Sequence, residues 1–181
     1  MKKIASLILL LALIPALFSC GGEKKYEYCE LILPLNSDFF ESEADGVFEI
    51  RFADGRDVGI ALTLGSISDT AFANGKIAVA VRRISFSAAL DGGIPETLSQ
   101  KQLAAYMQKE TGVGGEIFTA GDAPYYKYKK TDGAGNEYLF VVSAYRSKYA
   151  YFTVTYLLAA DMEDQLMPEV TEYIRGTGFT Q

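Results

Sequence analysis

The sequence predicts an α+β domain, an antiparallel β-sheet with helices packed on its faces. Three observations predict it. Asn136 to Leu158 consists of two long runs of aromatic and β-branched residues around the polar break Arg146-Ser147-Lys148, the pattern of a β-hairpin. These runs are apolar on both alternating sides, with Tyr138, Phe140 and Val142 one way and Leu139 and Val141 the other. Such strands belong at the centre of a sheet covered on both faces. The third observation is order: helical periodicity separates runs of strands, giving strands, helix, strands, helix.

The elements follow from local pattern. Tyr26 to Leu33 reads as the first strand, with Cys29, Leu31 and Leu33 on its apolar side and Pro34 as its end. Cys29 is then a small buried hydrophobe. Asn36-Ser37-Asp38 turns the chain, and Phe39-Phe40 packs that turn onto the core. Val47 to Phe52 alternates, with Phe48, Ile50 and Phe52 inward and Glu49 and Arg51 outward. Asp54-Gly55 makes a hairpin turn. Asp57 to Leu64 returns with Val58, Ile60, Leu62 and Leu64 on one side. Gly65 to Gly75 is a polar connection with one helical turn around Asp69 to Ala73. Ile77 to Val81 is a strand that Ile84 to Ala88 extends, ended by Asp91-Gly92-Gly93.

The first helix is marked by a capping box of Ser99 and Gln102 and a staple of Leu98 with Leu103. Leu103, Tyr106, Met107 and Glu110 line one side, and Gly112 stops it. Gly114 to Thr119 and Tyr125 to Lys130 are strands, and Asp132 to Asn136 is a Gly-rich turn into the central hairpin. Asp161 caps a last helix with the apolar stripe Met162, Leu166, Val170, Tyr173 and Ile174. Pro168 falls inside that stripe and predicts a kink or break. Gly176 ends the helix, and Thr177 to Thr180 adds a short closing strand through Phe179.

The amino terminus reads as a targeting signal. Met1-Lys2-Lys3 is positive, Ile4 to Leu13 is apolar but too short to span a bilayer, and Pro15 breaks it. Leu17-Phe18-Ser19-Cys20 resembles a bacterial lipobox, with Phe18 where a small residue is usual. The resemblance implies that Cys20 becomes the first residue of the mature chain, carrying a covalent diacylglycerol and an acyl chain. Two or more chains anchor a protein stably. No Asp follows Cys20, which by resemblance to bacterial sorting rules implies the outer membrane where the host has two. The chain then divides into a lipoprotein signal peptide (1–19), a lipidated tether (20–25) and one α+β domain (26–181), placed in the cell envelope.

Composition narrows the chemistry. The chain has 181 residues and a formal net charge of −6. Removing residues 1–19 takes away Lys2 and Lys3 and no acid, leaving 15 basic and 23 acidic side chains. That balance argues against nucleic acid as a partner. With Cys20 acylated, Cys29 has no disulfide partner. The sequence contains no His, which removes imidazole acid–base catalysis, the Ser-His-Asp and Cys-His arrangements and histidine metal sites. It contains no Trp and 12 Tyr.

The order of elements resembles the PsbP-like superfamily, which includes the photosystem II extrinsic protein, the Ran-binding Mog protein and small bacterial lipoproteins. The resemblance rests on Leu33-Pro34 followed by Phe39, the hairpin through Asp54-Gly55, the mid-chain helix, the long central hairpin and a last helix ending in Gly176-Thr177-Gly178-Phe179. The strand around Ile77 to Ala88 is additional to that pattern. The resemblance implies an α/β/α sandwich and a protein that binds or assists a complex, and it brings no catalytic motif.

Candidate functional residues form two groups. Tyr125, Tyr126 and Tyr128 interleave with Lys127, Lys129 and Lys130, and the hairpin tip adds Tyr145, Arg146, Lys148, Tyr149 and Tyr151. Tyrosines bury a large ring while keeping a hydroxyl wet, and cations on an acidic body suit an anionic partner or lipid headgroups. The alternative is that the rings fill the sheet and the cations are a solvated edge. The acids Asp38, Glu41, Glu43 and Asp45 share one loop, whereas Asp122, Asp132 and Glu137 are scattered. None has calcium-loop spacing, and no metal site or cofactor is expected. The leading expectation is a non-catalytic, lipid-anchored accessory or binding module for a protein partner or small ligand. The alternatives are a carboxylate-dependent envelope hydrolase, and a small-ligand carrier with a pocket between sheet and helix.

Overall fold

The computed structural model describes residues 25–42, 46–61 and 69–180. The expected signal peptide, Cys20 as the expected lipidation site, most of the expected tether, Glu43, Asp45, Leu62 and Leu64 lie outside the described residues. The elements are β1 (Tyr26–Tyr28), β2 (Leu31–Leu33), β3 (Phe40–Ser42), β4 (Val47–Arg51), β5 (Asp57–Ala61), β6 (Thr70–Ala73) and β7 (Ala78–Ser85). They continue as α1 (Phe86–Asp91), α2 (Gln100–Glu110), β8 (Phe118–Ala120), β9 (Ala123–Thr131), β10 (Glu137–Arg146) and β11 (Ala150–Ala159). A 3₁₀ turn (Ala160–Met162), α3 (Glu163–Gly176) and β12 (Gly178–Phe179) close the chain.

The architecture is α+β. A seven-stranded antiparallel sheet runs β3-β6-β7-β11-β10-β9-β8, so the long hairpin lies at its middle, as its two apolar sides require. Its register pairs Val142 with Thr155 and Phe140 with Leu157. Leu139, Val141, Ser143 and Tyr145 therefore share a face with Val154, Tyr156 and Leu158. Tyr138, Phe140, Val142 and Ala144 share the other with Tyr151, Thr153 and Thr155.

Different pieces bury each face. The first packs under α3, whose Leu166, Val170, Tyr173 and Ile174 are all buried. The three-stranded sheet β1-β2-β12 covers the rest of that face, bringing the ring of Phe179 to 5.8 Å from that of Phe152. The second face is covered at two places. At one end α1 and α2 seat Ala89, Leu103 and Ala104 on Ile84, Ala144 and Tyr151. At the other the β4–β5 hairpin brings Phe52 edge-on to Tyr138, with ring centroids 5.6 Å apart.

Several expectations give way. Tyr26 to Leu33 is two strands rather than one, because Tyr28 pairs with Leu31 and leaves Cys29-Glu30 as a two-residue turn. Such turns match sheet twist through positive φ, and Cys29 takes φ 52° and is exposed, not buried. Residues 70–73 form β6 instead of a helical turn, since Ala71 and Phe72 are buried and paired between β3 and β7. Ile84 to Ala88 does not continue the strand throughout. Ser85 stops it by accepting the Ala88 N–H at 3.2 Å and so starts α1.

The Ser99–Gln102 capping box forms, but α2 turns Ala104 and Gln108 inward and leaves Glu110 exposed. Asp161 does not cap the last helix; its carboxylate accepts the Ala53 N–H at 3.2 Å. Glu163 and Asp164 serve the helix N-terminus electrostatically instead. Pro168 does not break α3, which runs through it from Glu163 to Gly176: the proline is on the exposed side, and the buried stripe holds the helix to the sheet.

Two tyrosines under α3 give a matched test of the core. Tyr145 donates to the Ile174 carbonyl at 3.0 Å. The Tyr156 hydroxyl is buried with no hydrogen-bond partner among the described residues. Thr177, close enough to temper the raised pKa of that phenol, donates to the Tyr173 carbonyl at 2.7 Å. Removing a satisfied hydroxyl loses a net hydrogen bond and strands its acceptor, whereas removing an unsatisfied one relieves a desolvation cost. Tyr145→Phe is expected to destabilise by about 1 kcal/mol and Tyr156→Phe to be neutral or stabilising. Urea denaturation midpoints measure both.

Candidate functional site

The split cover on the second face leaves a cavity of about 450 Å³ between α2 and the β4–β5 hairpin. Its floor is the sheet: Tyr126 and Tyr128 from β9, Tyr138, Phe140 and Val142 from β10, Thr153 and Thr155 from β11 and Arg82 from β7. One wall is Met107 and Thr111 at the end of α2, and the other includes Ile60 of β5. Lys130, Thr131 and Asp132 stand at the β9–β10 turn. The floor follows from register: Tyr128 pairs with Phe140, Tyr126 with Val142 and Thr153 with Arg82.

Aromatic rings dominate this floor. Tyr128 and Phe140 are stacked at 5.1 Å with planes 5° apart, and Tyr126 lies 6.1 Å from Tyr128 at 19°. Lys130 Nζ stands 5.7 Å from the centroid of Tyr128 and 5.9 Å from that of Phe140, within cation–π range. Burial pushes the Tyr128 phenol up to about 12, with Tyr126 adding to the shift. Burial raises Tyr126 as well, partly offset by a hydrogen bond with Thr111. Both phenols are therefore neutral hydrogen-bonding groups at physiological pH, not bases.

Asp132 is committed to its own turn. Its carboxylate accepts the Asn136 side-chain amide at 2.9 Å, the Ala134 and Asn136 N–H groups at 2.9 Å and the Tyr138 hydroxyl at 3.2 Å. The Asn136 bond leads the causes that hold it below the usual carboxylate range. Among the described residues it is the carboxylate that lines the cavity, so the two converging carboxylates of a hydrolase are not found there. No group of three or more potential metal ligands occurs among the described residues.

The Tyr/Lys cluster divides between two faces. Tyr126, Tyr128 and Lys130 face the cavity. Tyr125, Lys127 and Lys129 face α3. Tyr125 is buried and stacked on Phe118 at 5.4 Å, and Tyr145 is buried beneath α3. Lys127 reaches Glu163 at 2.5 Å, while Lys129 lies 3.5 Å from Glu163 and 3.6 Å from Glu137. At the hairpin tip Arg146 donates to the Glu96 carbonyl at 3.3 Å and stands 5.3 Å from the Phe86 ring. Lys148 lies against exposed Tyr149, and Tyr151 is buried with its hydroxyl donating to the Pro95 carbonyl at 2.7 Å. Of the acids, Glu41 accepts from Thr70 at 3.3 Å and Asp122 is exposed.

Sequence reasoning missed Arg82, Met107, Thr111, Ile60, Thr153 and Thr155 as a group. They come from four elements, and no local spacing joins them. The strand alternation of β9 was the available signal, since it places Tyr126, Tyr128 and Lys130 on one face.

No protein-family model matches the chain, and no curated protein matches it in sequence. Solved structures do. A protein from Bacteroides thetaiotaomicron VPI-5482 is similar at TM-score 0.51 and 12% identity, over 87% of this chain and 48% of that one. This chain thus spans about half the length of that protein, and the likeness is one of fold. Cyanobacterial PsbP (CyanoP) from Synechocystis sp. PCC 6803 is similar at TM-score 0.45 and 11% identity, over 91% of this chain and 99% of that one.

The ion pairs on the α3 face carry a pH prediction. The Lys127 ammonium, hydrogen-bonded to Glu163, holds that carboxyl below its ordinary value of 4.5, and Lys129 adds to the effect. The folded state therefore favours the carboxylate. That contribution is fully present above about pH 4.5 and is lost as pH falls through the lower folded-state value. Glu163→Gln is expected to lower the urea midpoint near pH 7, and its difference from the parent is expected to shrink as the pH falls below about 4.5.

Proposed function

We propose that this protein is a lipid-anchored binding module of the cell envelope that holds a small ligand in the cavity between the sheet and α2. The observation that carries the reading is the cavity itself. It has the volume of a small-molecule site and a mostly apolar, aromatic lining with a few polar groups turned into it. Anchoring rests on the Leu17-Phe18-Ser19-Cys20 pattern, and an accessory role on the PsbP-like order of elements. A non-catalytic role fits phenols held neutral and a lining carboxylate committed to its own turn.

Two experiments test the reading. Thr155 is half-buried on the cavity floor, so Thr155→Trp fills space rather than core. Metabolites retained by the parent chain and identified by mass spectrometry should be lost from Thr155→Trp, with the far-UV circular dichroism unchanged. Equal retention by both would overturn the site. For the anchor, Cys20→Ala is expected to move the protein from the membrane pellet to the soluble fraction, and continued sedimentation would overturn lipidation.

A further inference from the structure

The cavity has a chemical polarity that its aromatic floor does not suggest. Arg51, Arg56, Arg83 and Arg175 each hold a carboxylate: Asp57 at 2.7 Å, Asp54 at 2.6 Å, Glu30 at 3.4 Å and, for Arg175, Glu172. Arg146 caps the Glu96 carbonyl. Arg82 differs. It is half-buried in the cavity floor beside Thr153, and among the described residues it has no carboxylate or carbonyl partner. In a chain of net charge −6 a cation so placed is conspicuous. Partial burial strips water from a guanidinium, and the two N–H pairs of its fork are then best satisfied by a planar anion. Lys130, the other cation lining the cavity, has no ion pair among the described residues and stands over Tyr128 and Phe140. Asp132, the nearby acid, spends its oxygens on Asn136, Ala134 and Tyr138.

Resting on the pocket reading above, we propose that the cavity takes a small amphiphilic carboxylate. Its apolar, ring-bearing body lies on Tyr126, Tyr128, Phe140 and Met107, and its carboxylate pairs with Arg82. Thr153 and Thr155 add hydroxyl donors beside that pair, and Lys130 adds positive potential. The arrangement separates ligands by head group: a neutral alcohol of the same body keeps the aromatic contact and loses the charge-assisted pair, and an amine is repelled by two cations.

The test titrates the full chain by calorimetry with three probes of one body: naphthoate, naphthylmethanol and naphthylmethylamine. Naphthoate is expected to bind about tenfold more tightly than the alcohol, the amine most weakly. Arg82→Gln should abolish the preference for naphthoate over the alcohol, and Arg82→Lys should restore part of it. Equal binding of all three probes, blocked by Thr155→Trp, would leave the pocket in place and overturn the carboxylate. A preference that survives Arg82→Gln would overturn the role of Arg82. Binding of none of the probes would overturn both the carboxylate and the pocket.

Discussion

The structure depends on the burial of one hairpin from both sides. Strands β10 and β11 present large apolar side chains on both faces, so both faces need cover. Burying each Leu, Val or Phe contributes about 1.5–3 kcal/mol relative to exposure, and the strands carry many. The described helices and the β1-β2-β12 and β4–β5 strands supply that cover. On one face α3 and the β1-β2-β12 sheet fit together closely enough to bury Phe152, Val154, Tyr156 and Leu158 almost completely. On the other the cover comes in two pieces, α1–α2 and the β4–β5 hairpin, which enter from different parts of the chain.

The seam between those pieces is where composition changes. Beneath α2 the floor is Ala144 and Tyr151, and beneath the hairpin it is Tyr138. Between them Thr153, Thr155 and Arg82 join Tyr126, Tyr128, Phe140 and Val142. A seam lined only by Leu and Val would tend to close, because an apolar void forfeits contacts and gains nothing from water. Hydroxyls and a guanidinium reverse that balance, since closing over them without partners costs more than leaving a wet opening. The polar groups therefore keep the gap open, and the rings line it.

The central hairpin, the capped α2, the stripe of α3 and the closing strand through Phe179 were legible because each is announced by residues adjacent in sequence. Ser99 and Gln102 are three apart, and the capping box they predict forms. Misreadings came where strand pairing, and not local composition, decides. Cys29 looks like a strand residue until Leu31 pairs back on Tyr28, and residues 70–73 become a strand because β3 and β7 flank them. The site is the extreme case. Tyr126 and Tyr128 were visible as aromatic residues among cations, but their role depends on Ile60, Arg82 and Met107, whose positions only the packed sheet fixes.

Strand β9 shows how one short segment serves two purposes. Its alternation sends Lys127 and Lys129 to the α3 face, where Glu163 and Glu137 neutralise them, and Lys130 to the face of the stacked rings. Cations on the first face are thus spent on holding a helix to the sheet edge. On the second face Lys130 and Arg82 have no such partner among the described residues. The same division holds for the tyrosines: Tyr125 packs against Phe118, while Tyr126 and Tyr128 line the cavity. A cation-and-tyrosine cluster read as one surface is therefore two arrangements back to back. Structural ion pairing accounts for the first, and the unpaired positive charge on the second is what the proposed carboxylate site rests on.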